Sequence, residues 1–277
     1  MPVQSVHLHA LSVALALAMA APVAAQTCPT PAAVTDGGEC TVPAGTVVTV
    51  PANATGASAQ SAGAITADGI TENLAGANAV GAYALSGGRI SFNASTVRTT
   101  STAAAASGQI GLRASGAGSS ITSSGAIITM TPTGTSTPAN LRGVSAEAGG
   151  QIRLDNAQVQ VTGGSNALNN HAVVATGAGS TINLTSGSIS SNSRGAFGAA
   201  ALDGGLITLN GTTISTAGAQ NTTTQDGSHA ILARGAGSRV TGQGAAVTTT
   251  GTLANLVRVD AGTVALTDTL LPHAGAG

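Results

Sequence analysis

Two histidines and a scatter of acidic residues carry most of the side-chain chemistry that the sequence offers. His171 and His229 each precede a small residue at equivalent positions of a repeated pattern, with Phe197 at the same position between them. Asp226 and Ser228 lie beside His229, but a Ser-His-Asp triad is set by the fold and sequence neighbours rarely adopt its geometry. Stacked two repeats apart, the histidine backbones would be about 10 Å apart. Joint coordination needs each nitrogen about 2.1 Å from the metal, so we interpret both as surface turn histidines.

The acidic residues do not form a catalytic pair in the sequence. Glycoside hydrolysis needs two carboxyl groups that face each other across a cleft. The acids from Glu147 onward are well separated, and Asp155 and Asp203 are predicted at different corners of the fold, two repeats apart. A lyase would need clustered acids for calcium and a basic residue for proton abstraction, and the chain has no lysine. The sequence therefore predicts no catalytic residue.

The sequence also lacks motifs that bind cofactors, metals or nucleic acids. The repeated Gly-Ala-Gly-Ser is followed by neither lysine nor a helix pattern, which favours a turn over a phosphate loop. Calcium-binding nonapeptides are absent. Only 7% of residues are charged, the net charge is −1, and nine arginines balanced by ten acids cannot form the basic stripe that binds phosphates. We expect no cofactor, no metal and no nucleic-acid partner.

The cysteines and the N-terminus both indicate export. Ala10 to Ala21 is an apolar run of signal-peptide length, Pro22 breaks it, and small residues precede Gln26. We predict a signal peptide over residues 1–25 with cleavage between Ala25 and Gln26. The run is too short to span a bilayer, and no membrane-spanning segment is expected in the mature chain. Cys28 and Cys40, the only cysteines, are predicted to form a disulfide in an oxidising compartment.

Six copies of one pattern determine the fold. Each copy opens with a small residue, has an alanine three residues later, then a glycine, a β-branched residue three residues after that glycine, and another β-branched residue seven positions further on. The alanines are Ala84, Ala114, Ala146, Ala175, Ala201 and Ala233. The first β-branched column is Ile90, Ile121, Ile152, Ile182, Ile207 and Val240, and the second is Val97, Ile128, Val159, Ile189, Ile214 and Val247. A partial seventh copy contains Val264, Leu266 and Leu271.

Within each copy the apolar residues alternate with polar ones, as in half-buried strands. One copy cannot bury its apolar face alone, whereas parallel stacking turns every column into a continuous interior ladder. The sequence predicts an all-β, right-handed, single-stranded parallel β-helix of about eight coils. Residues 26–80 are predicted to be an N-terminal cap with the Cys28–Cys40 loop and degenerate first coils, with strands over Thr46 to Val50 and Ile65 to Ile70. Residues 81–277 hold the repeats.

These columns resemble the passenger domains of bacterial autotransporters, the pertactin-like group, whose fold belongs to the pectin-lyase-like β-helices. The closest matches are Gly198 to Thr216 and His171 to Ser191, and the resemblance covers roughly Gly81 to Leu271. The resemblance lies in the spacing of residue types within each repeat and not in a catalytic motif. It therefore implies a fold and a secretion route. Such proteins end in a membrane β-barrel, and no alternating strands with aromatic girdles follow Leu271. We expect either a missing C-terminal barrel or further coils, or a passenger-like protein that is exported by another route.

The resemblance implies an exported protein that crosses the periplasm of a Gram-negative bacterium and reaches the outer-membrane surface or the medium. We expect a structural or adhesin-type protein without catalysis, with host or cell-surface macromolecules as its unspecified partners. The alternative is a carbohydrate-active β-helix enzyme, a polysaccharide lyase or hydrolase. Acids and arginines clustered on one coil face would favour that alternative.

Overall fold

The computed structural model describes residues 26–102, 105–133 and 138–272. The predicted signal peptide, including Ala25 of the cleavage site, lies outside the described residues. Twenty-seven strands form three parallel sheets, and no α-helix occurs in the described ranges. None of these residues forms a helix that is long and apolar enough to cross a membrane.

Each sheet collects one strand from every coil of the chain. The first-strand sheet contains β2 (Ala32–Val34), β5 (Thr55–Gln60), β8 (Val80–Leu85), β11 (Ile110–Ser115), β14 (Arg142–Glu147), β17 (His171–Thr176), β20 (Ala199–Leu202), β23 (Ile231–Arg234) and β26 (Val257–Asp260). The second-strand sheet contains β1 (Gln26–Thr27), β3 (Glu39–Thr41), β6 (Ala64–Thr66), β9 (Arg89–Ser91), β12 (Ser120–Ser124), β15 (Gln151–Asp155), β18 (Thr181–Thr185), β21 (Leu206–Asn210), β24 (Arg239–Gln243) and β27 (Thr263–Thr267). The third-strand sheet contains β4 (Val47–Val50), β7 (Thr71–Leu74), β10 (Thr96–Thr99), β13 (Ile127–Met130), β16 (Gln158–Leu168), β19 (Ser188–Arg194), β22 (Thr213–Ala217) and β25 (Ala246–Thr249).

The architecture is a parallel β-solenoid of about eight coils, as predicted. Complete coils run from β2–β3–β4 to β23–β24–β25, and β26 and β27 begin a ninth. Strands of successive coils pair in parallel and in register, as the repeat spacing requires, except near the end of β16, where its register with β19 shifts. The N-terminal segment forms two such coils of its own, continuous with the same three sheets.

The alanine column lies inside the solenoid, which confirms its prediction. Ala146 pairs with Ala114 on one side and Ala175 on the other, and all three are completely buried. Their small side chains let the first-strand sheet lie close to the other two sheets. The backbones of neighbouring coils also lie close together at the turn between β20 and β21. A Cβ on Gly205 in this turn would collide with the carbonyl oxygen of Ala175. The column therefore requires small residues for packing reasons.

The two β-branched columns form the other interior ladders. Ile152 pairs with Ile121 and Ile182 in the second-strand sheet, and Val159 pairs with Ile128 in the third-strand sheet. All of these side chains are almost fully buried. The alternation of buried and exposed residues along β15 shows why the sequence period of two predicted these strands correctly.

The N-terminal coils differ from the prediction in one strand and one core residue. Cys28 and Cys40 form the predicted disulfide, with Cα atoms 5.1 Å apart. The strand predicted over Thr46 to Val50 is confirmed as β4, whereas the strand predicted over Ile65 to Ile70 is correct only for its first two residues. The rest of that segment forms the turn between β6 and β7. The ladder position of β7 holds Glu72, which is completely buried.

Candidate binding face

One side of the solenoid carries an unusual share of the charge in this weakly charged chain. Because side chains alternate along a strand, the residues beside the alanine column point outward from the first-strand sheet. We call this outer surface, with the loop residues that pack on it, the charged face. It contains four of the nine arginines, Arg113, Arg142, Arg234 and Arg258, all in ion pairs.

The first group on this face, the Glu147 cluster, is built on three successive coils. Arg113 Nη2 lies 2.6 Å from Glu147 Oε2, and Arg142 Nη1 lies 2.9 Å from Oε1. The Ser145 hydroxyl donates to the same Oε1 at 2.8 Å. The Arg113 guanidinium lies over the ring of Tyr83, 4.9 Å from its centre. Strand pairing of β8, β11 and β14 brings these residues together.

The Glu147 cluster has a net positive charge at neutral pH. Partial burial opposes ionisation of Glu147, but hydrogen bonds from Arg113 and Ser145 and the charges of both arginines outweigh it, and the pKa of the carboxyl is lowered. The carboxylate therefore neutralises one of two guanidinium groups. About a third of each arginine side chain remains exposed.

A surface cavity of about 480 Å³ opens beside these arginines. Its wall combines charged, amide, hydroxyl and backbone groups with a single aliphatic side chain. The lining residues are Gly108, Ile110, Arg113, Asn140, Arg142, Glu147 and Thr176. The cavity therefore presents several hydrogen-bond donors around a positive centre.

The second group begins with a stack of three rings on successive coils. The rings of His171 and Phe197 are 4.6 Å apart, and those of Phe197 and His229 are 6.0 Å apart, all nearly parallel. The predicted column with Phe197 between the histidines is confirmed. Their interpretation as surface turn histidines is wrong, because His229 is only 1% exposed and His171 is half-buried.

Burial and nearby arginines keep both imidazoles neutral, and each ring accepts one backbone hydrogen bond. The backbone N–H of Phe197 donates to His171 Nδ1 at 3.1 Å, and that of Asn255 donates to His229 Nδ1 at 2.9 Å. Burial, reinforced by Arg142, lowers the pKa of His171 to about 3. Burial, reinforced by Arg258, lowers the pKa of His229 to about 4. Each histidine thus acts as an acceptor that caps the next coil.

Next to the stack lies the Asp226 cluster, made of Asp226, Arg234, Arg258 and Asp260. Arg234 bonds Asp226 Oδ1 at 2.6 Å and Asp260 Oδ2 at 3.2 Å, and Arg258 bonds the same two oxygens at 3.1 and 3.0 Å. The expectation that the acids are well separated is therefore wrong for Asp226 and Asp260. The inter-coil loop before His229 brings Asp226 back over the sheet, which the linear spacing did not reveal.

The Asp226 cluster is internally neutralised. Hydrogen bonding to Asp226 raises the pKa of Arg234 despite burial. Burial opposes ionisation of Asp260, but hydrogen bonds from Arg258 and Arg234 outweigh it and lower its pKa. Two arginines therefore face two carboxylates, and the group carries no net charge. Its neighbour His229 places Nε2 3.1 Å from Arg258 Nη1.

A small apolar patch anchors the ring stack. Phe197 packs with Ala200 and Leu232, which point outward from the sheet and are nevertheless completely buried, and Leu202 lies against them. The Arg234 guanidinium lies 6.0 Å from the centre of the Phe197 ring. The second group is thus a packed part of the fold, whereas the Glu147 cluster opens onto a cavity.

The other acidic residues singled out in the sequence lie away from this face. Asp155 is exposed at the end of β15, and Asp203 lies in the turn between β20 and β21 with a positive φ of 49°. These positions agree with the predicted separation onto different corners. Within residues 26–102, 105–133 and 138–272, no three His, Cys, Asp or Glu side chains are placed to hold a metal ion.

The sequence contained a signal for the Glu147 cluster that residue types alone did not reveal. Tyr83, Arg113 and Ser145 each come one residue before the alanine column, so they occupy one outward column. The residues that precede the alanines therefore form a column whose spacing predicts that these side chains lie together.

No protein family, curated protein or solved structure matches this chain.

Proposed function

We propose that this chain is an exported, surface-displayed β-solenoid of the autotransporter-passenger type that binds macromolecules through its charged face, without catalysis. The observation that carries the proposal is the Glu147 cluster, in which Arg113 and Arg142 are held in place and yet a third exposed. Ordered, partly exposed arginines beside an aromatic ring are typical of recognition surfaces.

Two features of the fold support the export and display part of the proposal. The Cys28–Cys40 disulfide ties the first coil to the strand before it, and such bonds persist in oxidising compartments. Parallel ladders run through all eight coils, with one irregular stretch between β16 and β19. Such a stack is stiff and would hold a binding face at a fixed distance from its attachment point.

Acids and arginines do cluster on this face, which is the feature that would favour the enzyme alternative. The electrostatics of the two clusters nevertheless favour binding over hydrolysis. A glycosidase needs one carboxyl with a raised pKa as general acid and a second as nucleophile or base. Glu147 and Asp260 have lowered pKa values because arginines bind them. Both histidines use Nδ1 to cap backbone N–H groups, so that nitrogen is not free to accept a proton from a substrate.

Adhesion to cells tests the binding part of the proposal. Fluorescent mature chain, residues 26–277, is added to cultured epithelial cells, and bound fluorescence is compared with that of Arg113→Gln/Arg142→Gln. We expect the double variant to bind several-fold less, because it removes the two guanidinium groups that would pair with acceptors on the partner. Arg239→Gln is the matched control, since Arg239 is exposed on the second-strand sheet. Equal binding by all three proteins would refute the charged face as the binding surface.

The enzyme alternative is tested on the same protein. Pectin-like polymers are incubated with the mature chain, and reducing ends and unsaturated products are measured. The proposal predicts no product above the rate with heat-denatured protein. Product formation that is abolished by Asp226→Asn/Asp260→Asn would instead establish a carbohydrate-active enzyme.

A further inference from the structure

We infer that the cavity beside the Glu147 cluster binds a carboxylate-bearing sugar residue. The inference rests on the proposed function and names the ligand class of the same face. It starts from the two guanidinium groups, which converge on Glu147 from neighbouring strands β11 and β14. Their planes are therefore fixed before a ligand arrives, which lowers the entropy lost on binding.

Both arginines keep donors for a ligand. A guanidinium carries five N–H donors. Arg113 uses Nε and one Nη2 hydrogen on Glu147 Oε2, and Arg142 uses Nη1 on Glu147 and Ser145. These contacts leave about three N–H groups on each arginine for other acceptors. A carboxylate is the acceptor that such forks bind most strongly, through paired charge-assisted hydrogen bonds.

Charge distinguishes this cavity from the other arginine group on the face. The Glu147 cluster has two guanidinium groups and one carboxylate, so it retains one positive charge. The Asp226 cluster has two of each and retains none. An anion therefore gains net electrostatic attraction only at the first of the two groups.

The remaining wall of the cavity fits a sugar ring. Asn140 supplies an amide and Thr176 a hydroxyl, which match the hydroxyl groups of a pyranose. Ile110 is the single aliphatic side chain of the lining and can contact the C–H groups of the ring. The volume of about 480 Å³ accommodates one or two sugar residues. An acidic peptide also carries carboxylates, but it lacks the row of hydroxyl groups that Asn140 and Thr176 can bind.

Calorimetric titration of the mature chain tests this assignment. The probes are trigalacturonate and sialyllactose, two sources of a sugar carboxylate, with maltotriose as the neutral sugar and triglutamate as the acidic peptide. We expect at least one acidic saccharide to bind at millimolar concentration or below, more weakly at high salt. Arg113→Gln/Arg142→Gln should weaken binding about tenfold or more, and Arg239→Gln should not change it.

A second variant separates binding from folding. Arg113→Lys/Arg142→Lys retains both charges, and so retains partners for Glu147, but it lacks the planar fork. It should keep the wild-type circular dichroism spectrum and melting temperature and still bind the acidic saccharide about threefold or more weakly.

Three results would overturn the inference: no binding of either acidic saccharide, equal binding of maltotriose, or equal binding of triglutamate. The cell-adhesion experiment then tells which idea has failed. If adhesion still depends on Arg113 and Arg142, the sugar assignment is wrong and the binding face stands. If adhesion ignores both arginines, the proposed function itself is wrong.

Discussion

The carboxyl group of Glu72 occupies the space that a side chain at Gly56 would need. A Cβ built on Gly56 would lie 2.5 Å from Glu72 Oε1, and one on Gly81 would lie 2.7 Å from Oε2. Glu72 fills the interior ladder of the third-strand sheet between Val48 and Val97. Neither oxygen has a hydrogen-bond partner among the described residues. A carboxyl group thus replaces a β-branched side chain in the core.

Glu72 should make the solenoid less stable as the pH rises from about 4.5 to about 8. Complete burial raises the pKa of Glu72 from 4.5 to about 8. Below pH 4.5 both the folded and unfolded forms are protonated and the full stability is present. Between pH 4.5 and 8 only the folded chain keeps the proton, so the free energy of unfolding falls as pH rises, by up to about 1.4 kcal/mol per pH unit.

Glu72→Leu should remove this loss and raise the free energy of unfolding above pH 7. Urea denaturation at several pH values between 6.5 and 9 measures both effects. Asp155→Asn is the control, because Asp155 is exposed on the second-strand sheet and should leave the slope unchanged. A Glu72→Leu variant with the wild-type slope would show that the carboxyl is not buried unpaired in the core.

The histidine stack should limit stability in acid. In the unfolded chain the histidines titrate near pH 6.5, whereas their pKa values in the fold are about 3 and about 4. As pH falls from 6.5 towards 4, only the unfolded form gains these protons. The free energy of unfolding therefore falls by up to about 1.4 kcal/mol per pH unit for each histidine.

His171→Asn/His229→Asn should flatten this acid limb, because an amide oxygen can accept the same backbone N–H without titrating. The comparison is made in the Glu72→Leu background. Above pH 4.5 Glu72 lowers the free energy of unfolding as pH rises, whereas the histidines raise it. The variant should also lose about 1 kcal/mol at pH 7 through weaker ring stacking. Unchanged acid sensitivity would place the titrating groups elsewhere in the molecule.

The alanine column should not tolerate larger side chains. Ala175 is completely buried between Ala146 and Ala201, and the three strands leave no space for extra carbons. Ala175→Leu should lower the free energy of unfolding by roughly 1–3 kcal/mol. Ala105→Leu, at an exposed position outside the strands, should cost little. Similar melting temperatures for the two variants would contradict the packing described for this column.

The coils could be predicted because each one contains the same residue types at the same short spacing. The alanine and β-branched columns recur with fixed spacing, and parallel stacking converts that spacing directly into register. Glu72 escaped prediction because the first two coils lack the full column set, so its ladder position was not assigned. Once the register is known, the pairing of Glu72 with Val97 identifies it as a core residue.

The charged face was harder to predict because it depends on contacts between coils. Arg113 and Glu147 are 34 residues apart in sequence, and only pairing of β11 with β14 brings them together. Asp226 reaches Arg258 through a long loop whose path no repeat specifies. The histidine column was predictable from its spacing, but its burial was not, because burial depends on how the rings stack and pack between coils.

Export is the premise on which surface display and binding of external partners both depend. The sequence makes two predictions about an exported chain: residues 1–25 should be removed, and Gln26 should become its N-terminus. Cys28 should then be bonded to Cys40, as in the structure. A protein that stays in a reducing cytosol would keep its leader and two free thiols.

The most direct test of the account is the intact mass of the chain in two fractions of a Gram-negative host that expresses residues 1–277: the cytosol, and the periplasm with the medium. Each fraction is alkylated without reduction before measurement. In the periplasm and medium we predict the mass of residues 26–277 less two hydrogens, with no alkyl group added. A chain that stays in the cytosol with residues 1–25 intact and both cysteines alkylated would contradict export and, with it, the proposed role as a surface-displayed binding rod.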